Sequence, residues 1–182
     1  MSGSDRESGR VAGDLSSRVG DRLREADATV AVAESATGGL VGAELTAVPG
    51  ASDYFLGGVA AYAYDTKRRQ LGVDREVLDE HGAVSAPVAR AMARGARDVL
   101  DATWGLSTTG VAGPTGGTEA TPVGTVFVGV AYAGPWGSES SFARATRYDL
   151  EGDRSAVRDE TVERALSDLL TAVEELEGDT ES

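Results

Sequence analysis

The sequence predicts an α/β protein, a three-layer α/β/α sandwich around a mixed, mostly parallel sheet. Three observations predict it. Short β-prone runs alternate with stretches of helical periodicity through the first two thirds of the chain, the order that builds parallel sheets. Helical patterns stand at both ends. The last two β-prone runs are separated by a hairpin-length turn, so that pair is expected to be antiparallel.

Residues 1–14, rich in Ser, Gly, Asp and Arg and without periodicity, predict a disordered tail. Leu15, Val19 and Leu23 recur at helical spacing and open the domain, which is expected over 15–176. An apolar strand over 29–33 follows, then a helix from Thr37 to about Val48, closed by Pro49-Gly50. Residues 57–63 read as a short buried strand. Tyr64-Asp65-Thr66-Lys67 opens a polar helix ending near Leu71-Gly72, and 76–80 form another, stopped by His81-Gly82. Ser85-Ala86-Pro87 is a helix start, and Val88, Met92, Ala96 and Val99 form the apolar stripe behind it. Gly95 weakens that helix by ~1 kcal/mol against alanine. Strands are expected over 104–109, 124–133 and 140–148, with a Gly/Pro-rich loop over 110–122. The last helix, after Gly152-Asp153-Arg154, carries Val162, Leu166, Leu169, Val173 and Leu176. Residues 177–182 are expected to fray as an acidic tail.

Composition excludes several chemistries. The chain of 182 residues has no cysteine and one histidine, His81, so disulfides, thiolate nucleophiles and His- or Cys-rich metal sites are out. A formal net charge of −13 argues against broad nucleic-acid binding, which needs a basic footprint. No run approaches a membrane span and the N-terminus lacks signal-peptide order, so a cytoplasmic location is expected. The acidity reads either as adaptation to a salty cytoplasm, where salt screens self-repulsion, or as an ordinary acidic surface.

The most informative stretch is Ala31-Val32-Ala33-Glu34-Ser35-Ala36-Thr37-Gly38-Gly39. An apolar strand stops at a polar pair, two glycines follow, and a helix begins. Ser35 stands at the carboxyl end of a strand beside helix N–H groups, where chemistry on an anionic or developing-anionic ligand is favoured. It reads as a nucleophile or as a helix cap shared with Thr37. A nucleophile needs a base. His81 sits at a helix end and reads as a capping residue. Lys67 is the better base if burial, or charge from Arg68 and Arg69, lowers its pKa; otherwise it is a solvated lysine. The loop Gly110-Val111-Ala112-Gly113-Pro114-Thr115-Gly116-Gly117 lets backbone approach a ligand, or is simply a tight surface loop. It is neither a P-loop nor a dinucleotide fingerprint. Arg154 reads as a phosphate partner or as a salt bridge to Asp153 or Asp149. The Glu34-Ser35 corner, 62–67 and 109–117 are expected to meet at one end of the sheet.

Six pieces in order resemble the CinA C-terminal domain family, also called PncC or nicotinamide-nucleotide amidase. They are Ala33 to Gly39; Tyr62 to Lys67 with Leu71-Gly72-Val73; His81-Gly82-Ala83-Val84-Ser85; Thr109 to Gly117; Pro122-Val123-Gly124-Thr125-Val126; and Gly152-Asp153-Arg154 with Val157-Arg158. The resemblance implies hydrolysis of the carboxamide of nicotinamide mononucleotide (NMN) to nicotinic acid mononucleotide and ammonia, in pyridine-nucleotide (NAD) salvage. It implies a Ser–Lys amidohydrolase without metal or cofactor, often a homo-oligomer, whose partner is a small nucleotide substrate rather than nucleic acid or membrane. Ser35 matches the nucleophile, Lys67 the base, and the tyrosine stretch before it matches Tyr62 and Tyr64, with Tyr64 placed among the catalytic residues. Thr109 and Arg154 match substrate-holding positions. Thr37, Gly38, Gly110, Gly113 and Gly116 complete the expected substrate-binding set, with N–H groups near Thr37-Gly38 expected to hold the oxyanion.

Departures from the family pattern are Ala36 for Cys, Tyr62-Ala63-Tyr64 for Tyr-Ser-Asn, and Thr109 for Ser. The separate N-terminal domain of full-length CinA proteins, with its pyrophosphatase activity, is expected to be absent. Two other readings stand beside the NMN amidase: a non-catalytic nucleotide- or partner-binding module, and an amidase for another small carboxamide.

Overall fold

The computed structural model describes the backbone of residues 3–180 and the side chains of 12–178. In chain order the elements are α1 (Gly3–Glu25), β1 (Val30–Glu34), α2 (Leu40–Thr46), β2 (Phe55–Ala60), α3 (Tyr64–Leu71), α4 (Arg75–His81), α5 (Ala86–Val99), β3 (Trp104–Gly110), β4 (Thr125–Tyr132), β5 (Phe142–Asp149) and α6 (Arg154–Thr180). They build the expected α/β sandwich on a five-stranded mixed sheet of order β2-β1-β3-β4-β5. β1 pairs in parallel with both β2 and β3. β4 runs against both β3 and β5, so antiparallel pairing covers two ladders rather than the hairpin alone. The loop between β3 and β4 carries no helix to cross over a sheet face, so the chain returns beside β3 reversed.

β1 shows why three layers form. Its side chains alternate, Val30 and Val32 to one face, Ala31 and Ala33 to the other. On the valine face, α1, α2 and α6 bury Val19, Leu23, Val41, Leu45, Leu166 and Leu169 against Leu106, Val128 and Val130. On the alanine face, Leu71, Leu78, Val88, Met92 and Ala96 of α3, α4 and α5 pack. The small residues there let α5 come close: a Cβ on Gly105 would collide with the Ala93 carbonyl, and one on Gly129 with that of Ala89. Gly95 has the same explanation, since a Cβ there would overlap the Leu71 carbonyl of α3.

The differences from the sequence reading have local causes. α1 begins at Gly3, ahead of the expected Leu15, because the charged stretch contains no proline to stop it. At the other end α6 continues through 177–180 even though Gly178, Asp179 and Thr180 are poor helix formers; residues 1–2 and 181–182 lie outside those described. α2 starts at Leu40, later than Thr37, because Gly38 and Gly39 adopt positive φ of 62° and 106° and hold the chain out of the helix. β2 is a sheet edge whose residues alternate between half-buried and exposed, not a buried strand. Among the described residues no helix is long and apolar enough to cross a membrane.

Candidate active site

The parallel register aligns three strand ends. Glu34 pairs with Ala60 on one side and Thr108 on the other, so Ser35, Ala61 and Thr109 emerge together at the carboxyl edge. The Ser35 N–H donates to the Thr108 carbonyl at 2.9 Å, and the Ala61 N–H to that of Glu34 at 2.7 Å. The three polar segments expected to converge do so here.

Lys67, in the first turn of α3, is only 1 % exposed. Its Nζ donates to Ser35 Oγ at 3.1 Å, to the Ala61 carbonyl at 2.6 Å and to the Tyr62 carbonyl at 3.2 Å. No carboxylate forms an ion pair with it among the described residues, and burial alone lowers its pKa from 10.5 to about 8. Arg68 instead faces Asp65 at 3.4 Å on the exposed side of α3, so the expected help from Arg68 and Arg69 is not the cause. A protonated amine satisfies three acceptors; a neutral one has two N–H groups and a lone pair. The two carbonyls can only accept. The Ser35 hydroxyl can donate, so the lone pair of neutral Lys67 falls to Ser35.

Glu34, which the sequence reading left without a role, organises the turn. Its carboxylate is 3 % exposed. Oε2 accepts from the Thr37 hydroxyl at 2.6 Å and from the N–H groups of Gly39 and Val41 at 2.8 and 3.1 Å; Oε1 accepts from Gly42 N–H at 2.9 Å. Neither Ser35 nor Thr37 caps α2, because this carboxylate already takes the N–H groups at the helix start. Thr37 is fully buried, and its hydroxyl also meets Thr108 Oγ1 at 2.7 Å. Outside the turn, Arg158 of α6 donates from Nη2 to the Thr37 carbonyl at 2.7 Å.

A pocket of about 200 Å³ opens over Ser35 and Lys67, lined also by Ala36, Tyr62, Ala83, Val84, Thr109, Gly110, Ala112 and Arg154. Drug-sized ligands occupy ~300–1,000 Å³, so it has room for only part of a ligand of that size. Of the expected set, Ser35, Lys67, Tyr62, Thr109, Gly110 and Arg154 meet here. Tyr64, Thr37, Gly38, Gly113 and Gly116 do not line it. The Tyr64 hydroxyl accepts from Ala83 N–H at 3.2 Å, and Thr109 Oγ1 donates to the Ala83 carbonyl at 2.7 Å, so both pin the 82–85 turn. Arg154 Nη1 donates to the Gly113 carbonyl at 2.7 Å and makes no ion pair with Asp153 or Asp149. His81 closes α4 with Nε2 3.7 Å from Glu80 and is not a lining residue. Ala83, Val84 and Ala112 also line the pocket; they lie in stretches already singled out in the sequence, but as apolar side chains they carry no chemical signal of their own. Among the described residues no group of three or more His, Cys, Asp or Glu side chains is placed to hold a metal ion.

Comparison with known proteins adds to this geometry. The CinA C-terminal domain profile matches residues 12–173. A CinA-like protein of Salinibacter ruber is 53% identical over 141 residues, covering 78% of this chain and 32% of its own length. One from Prochlorococcus marinus is 50% identical over 155 residues, 85% of this chain and 35% of its own. The chain thus spans about a third of the length of the curated relatives it matches. Among solved structures, the competence/damage inducible protein CihA from Agrobacterium tumefaciens superposes with a TM-score of 0.83 at 32% identity, covering 90% of this chain and 96% of that one. A competence-damaged protein (CinA) superfamily protein from Klebsiella pneumoniae gives 0.82 at 29% identity, over 90% and 98%.

Proposed function

The chain belongs to the CinA C-terminal domain family, and we propose that it is a serine amidohydrolase that converts NMN to nicotinic acid mononucleotide and ammonia, a cytoplasmic step of pyridine-nucleotide salvage. One observation carries the reading: a buried Lys67 without a carboxylate partner, its Nζ 3.1 Å from Ser35 Oγ. Burying an amine unpaired costs stability, and a binding module gains nothing from that cost.

The Lys67–Ser35 contact supports the following chemistry. Neutral Lys67 takes the Ser35 proton as Oγ bonds to the carboxamide carbon. The carbonyl oxygen becomes an oxyanion. The C–N bond then breaks, Lys67 gives its proton to the leaving nitrogen, and ammonia departs from an acyl-Ser35 ester. Water attacks the ester and yields its proton to Lys67. The C–O bond to Ser35 breaks, the proton returns to Oγ, and the carboxylic acid product leaves, releasing its remaining proton to solvent to become the carboxylate. Arg154 at the rim supports the nucleotide phosphate, with Tyr62 beside the pyridine ring. An amidase for another small carboxamide keeps the same chemistry and differs only in what occupies the rim.

The test is ammonia release from NMN in high salt by wild type, Ser35→Ala and Lys67→Ala. Release by wild type and a loss of at least ~10³-fold in both variants is expected. No release by wild type removes NMN as substrate; full activity in Ser35→Ala removes the mechanism.

A further inference from the structure

An amide hydrolase must stabilise an oxyanion, and the turn after Ser35 is the place to look for its donors. The N–H groups of Gly39, Val41 and Gly42 are spent on the Glu34 carboxylate, and that of Ser35 on the Thr108 carbonyl. Ala36, Thr37 and Gly38 N–H groups have no protein acceptor among the described residues. Of these three residues only Ala36 lines the pocket, next to the nucleophile. The same carboxylate that closes the helix start therefore folds the chain so that one unspent N–H stands beside Ser35 Oγ.

We propose that Glu34 is a positioning residue for the nucleophile: by gathering the Thr37 hydroxyl and three N–H groups it fixes the turn that presents Ser35 Oγ and the Ala36 N–H to one reacting carbonyl. This rests on the amidase reading. Glu34 is 3 % exposed and does not line the pocket, so it acts through the turn rather than on the substrate. Both oxygens are used as acceptors, Oε2 by Thr37, Gly39 and Val41 and Oε1 by Gly42. A glutamine has one acceptor oxygen and cannot serve both sets, because its amide nitrogen then faces an N–H. Thr37→Val keeps the shape and removes the hydroxyl donated to Glu34; Thr37→Ser keeps the hydroxyl.

The experiment compares wild type, Glu34→Gln, Thr37→Val and Thr37→Ser in two assays. One is steady-state ammonia release from NMN across pH. The other is the rate at which a fluorophosphonate labels Ser35, followed by mass spectrometry, which needs no knowledge of the substrate. For Glu34→Gln, kcat and the labelling rate are expected to fall ~10- to 100-fold, the scale of a misplaced reacting group. KM should hold, and the pH midpoint set by Lys67 should stay near 8. Thr37→Val should show a smaller loss, restored in Thr37→Ser. Wild-type labelling by a cooperatively melting Glu34→Gln overturns the proposal. If that variant does not melt cooperatively, the Thr37 pair decides by the same reading. Wild type that labels at Ser35 but leaves NMN intact removes the substrate, and the labelling arm still decides the role of Glu34. Wild type that does not label at Ser35 overturns the nucleophile and its positioning together.

Discussion

At the Ser35 turn the polar side chains are buried and engaged: Glu34, Thr37, Lys67 and Thr108 are at most 3 % exposed, and each has a partner within 3.1 Å. At the rim of the same pocket the pattern reverses. Tyr62 is 68 % exposed. Arg154 is exposed and holds a single carbonyl. The turn is preorganised and cannot move without breaking several buried hydrogen bonds. The rim can reorganise at little cost. Changes in the turn should therefore act on the chemical step, and changes at the rim on binding.

The largest expected effect tests the turn. Lys67→Met should lower kcat at least ~10³-fold, and at neutral pH it should not destabilise the fold as loss of a buried partner usually does. At pH 7 Lys67 is protonated in both the folded and the unfolded chain, and its folded form carries the cost of burial. Its folded pKa, about 8, lies below the unfolded 10.5, so between these values the unfolded chain binds more protons and stability rises with pH. A gap of that size corresponds to ~3 kcal/mol. Wild type should thus gain on Lys67→Met from pH 7.5 to pH 10.5 in paired denaturant titrations. Parallel curves would break the assignment of Lys67 as a buried, shifted amine. Pairing the two proteins also cancels Tyr148, whose own pKa burial and Asp168 push up to about 12.

Next in size is the pH profile of wild-type kcat/KM, which should climb through about pH 8 as Lys67 loses its proton. A midpoint well below that would move the role of base away from Lys67. The rim should respond differently. Under the proposed function Arg154→Gln removes the cation set against the substrate phosphate, and a charged hydrogen bond is typically worth ~1.5–3 kcal/mol. KM for NMN should rise ~10-fold or more with kcat nearly unchanged. An equal loss in kcat and kcat/KM would move Arg154 from binding to catalysis.

The same contrast marks what the sequence reveals. The Ser35 turn is legible because its signals are local: a β-prone run ends in polar residues and glycines. α3 and α5 are legible for the same reason, through Gly72, Ser85-Ala86-Pro87 and an apolar stripe. Glu34 was not legible as an organiser, because an acid at a strand end looks the same whether water or four donors surround it. β2 was misplaced since being an edge strand depends on sheet order, which no local pattern encodes. The second antiparallel ladder was missed because a glycine-rich loop does not declare the direction of the strand it returns. The resemblance implies Tyr64 among the catalytic residues and Thr37 in the substrate-binding set, each by its neighbours in sequence. Folding turned one toward Ala83 and sealed the other behind Ser35.

The smallest expected effect separates turn from rim by salt alone. Arg154 is exposed, so its attraction for an anionic substrate is screened once the Debye length falls from ~10 Å at 0.1 M to ~3 Å at 1 M. The contacts of Lys67 with Ser35 are buried and feel little of this. Between those salt concentrations KM should rise ~2- to 3-fold with kcat level, and Arg154→Gln should lose that dependence. Stability should move the other way, because a net charge of −13 repels itself less as salt rises. A protein whose melting temperature climbs with salt while its KM worsens would place the two electrostatic effects on different parts of the molecule. A kcat that falls together with the rise in KM would instead show that the turn at Ser35 is not sealed from solvent, and the contrast between the two regions would fail.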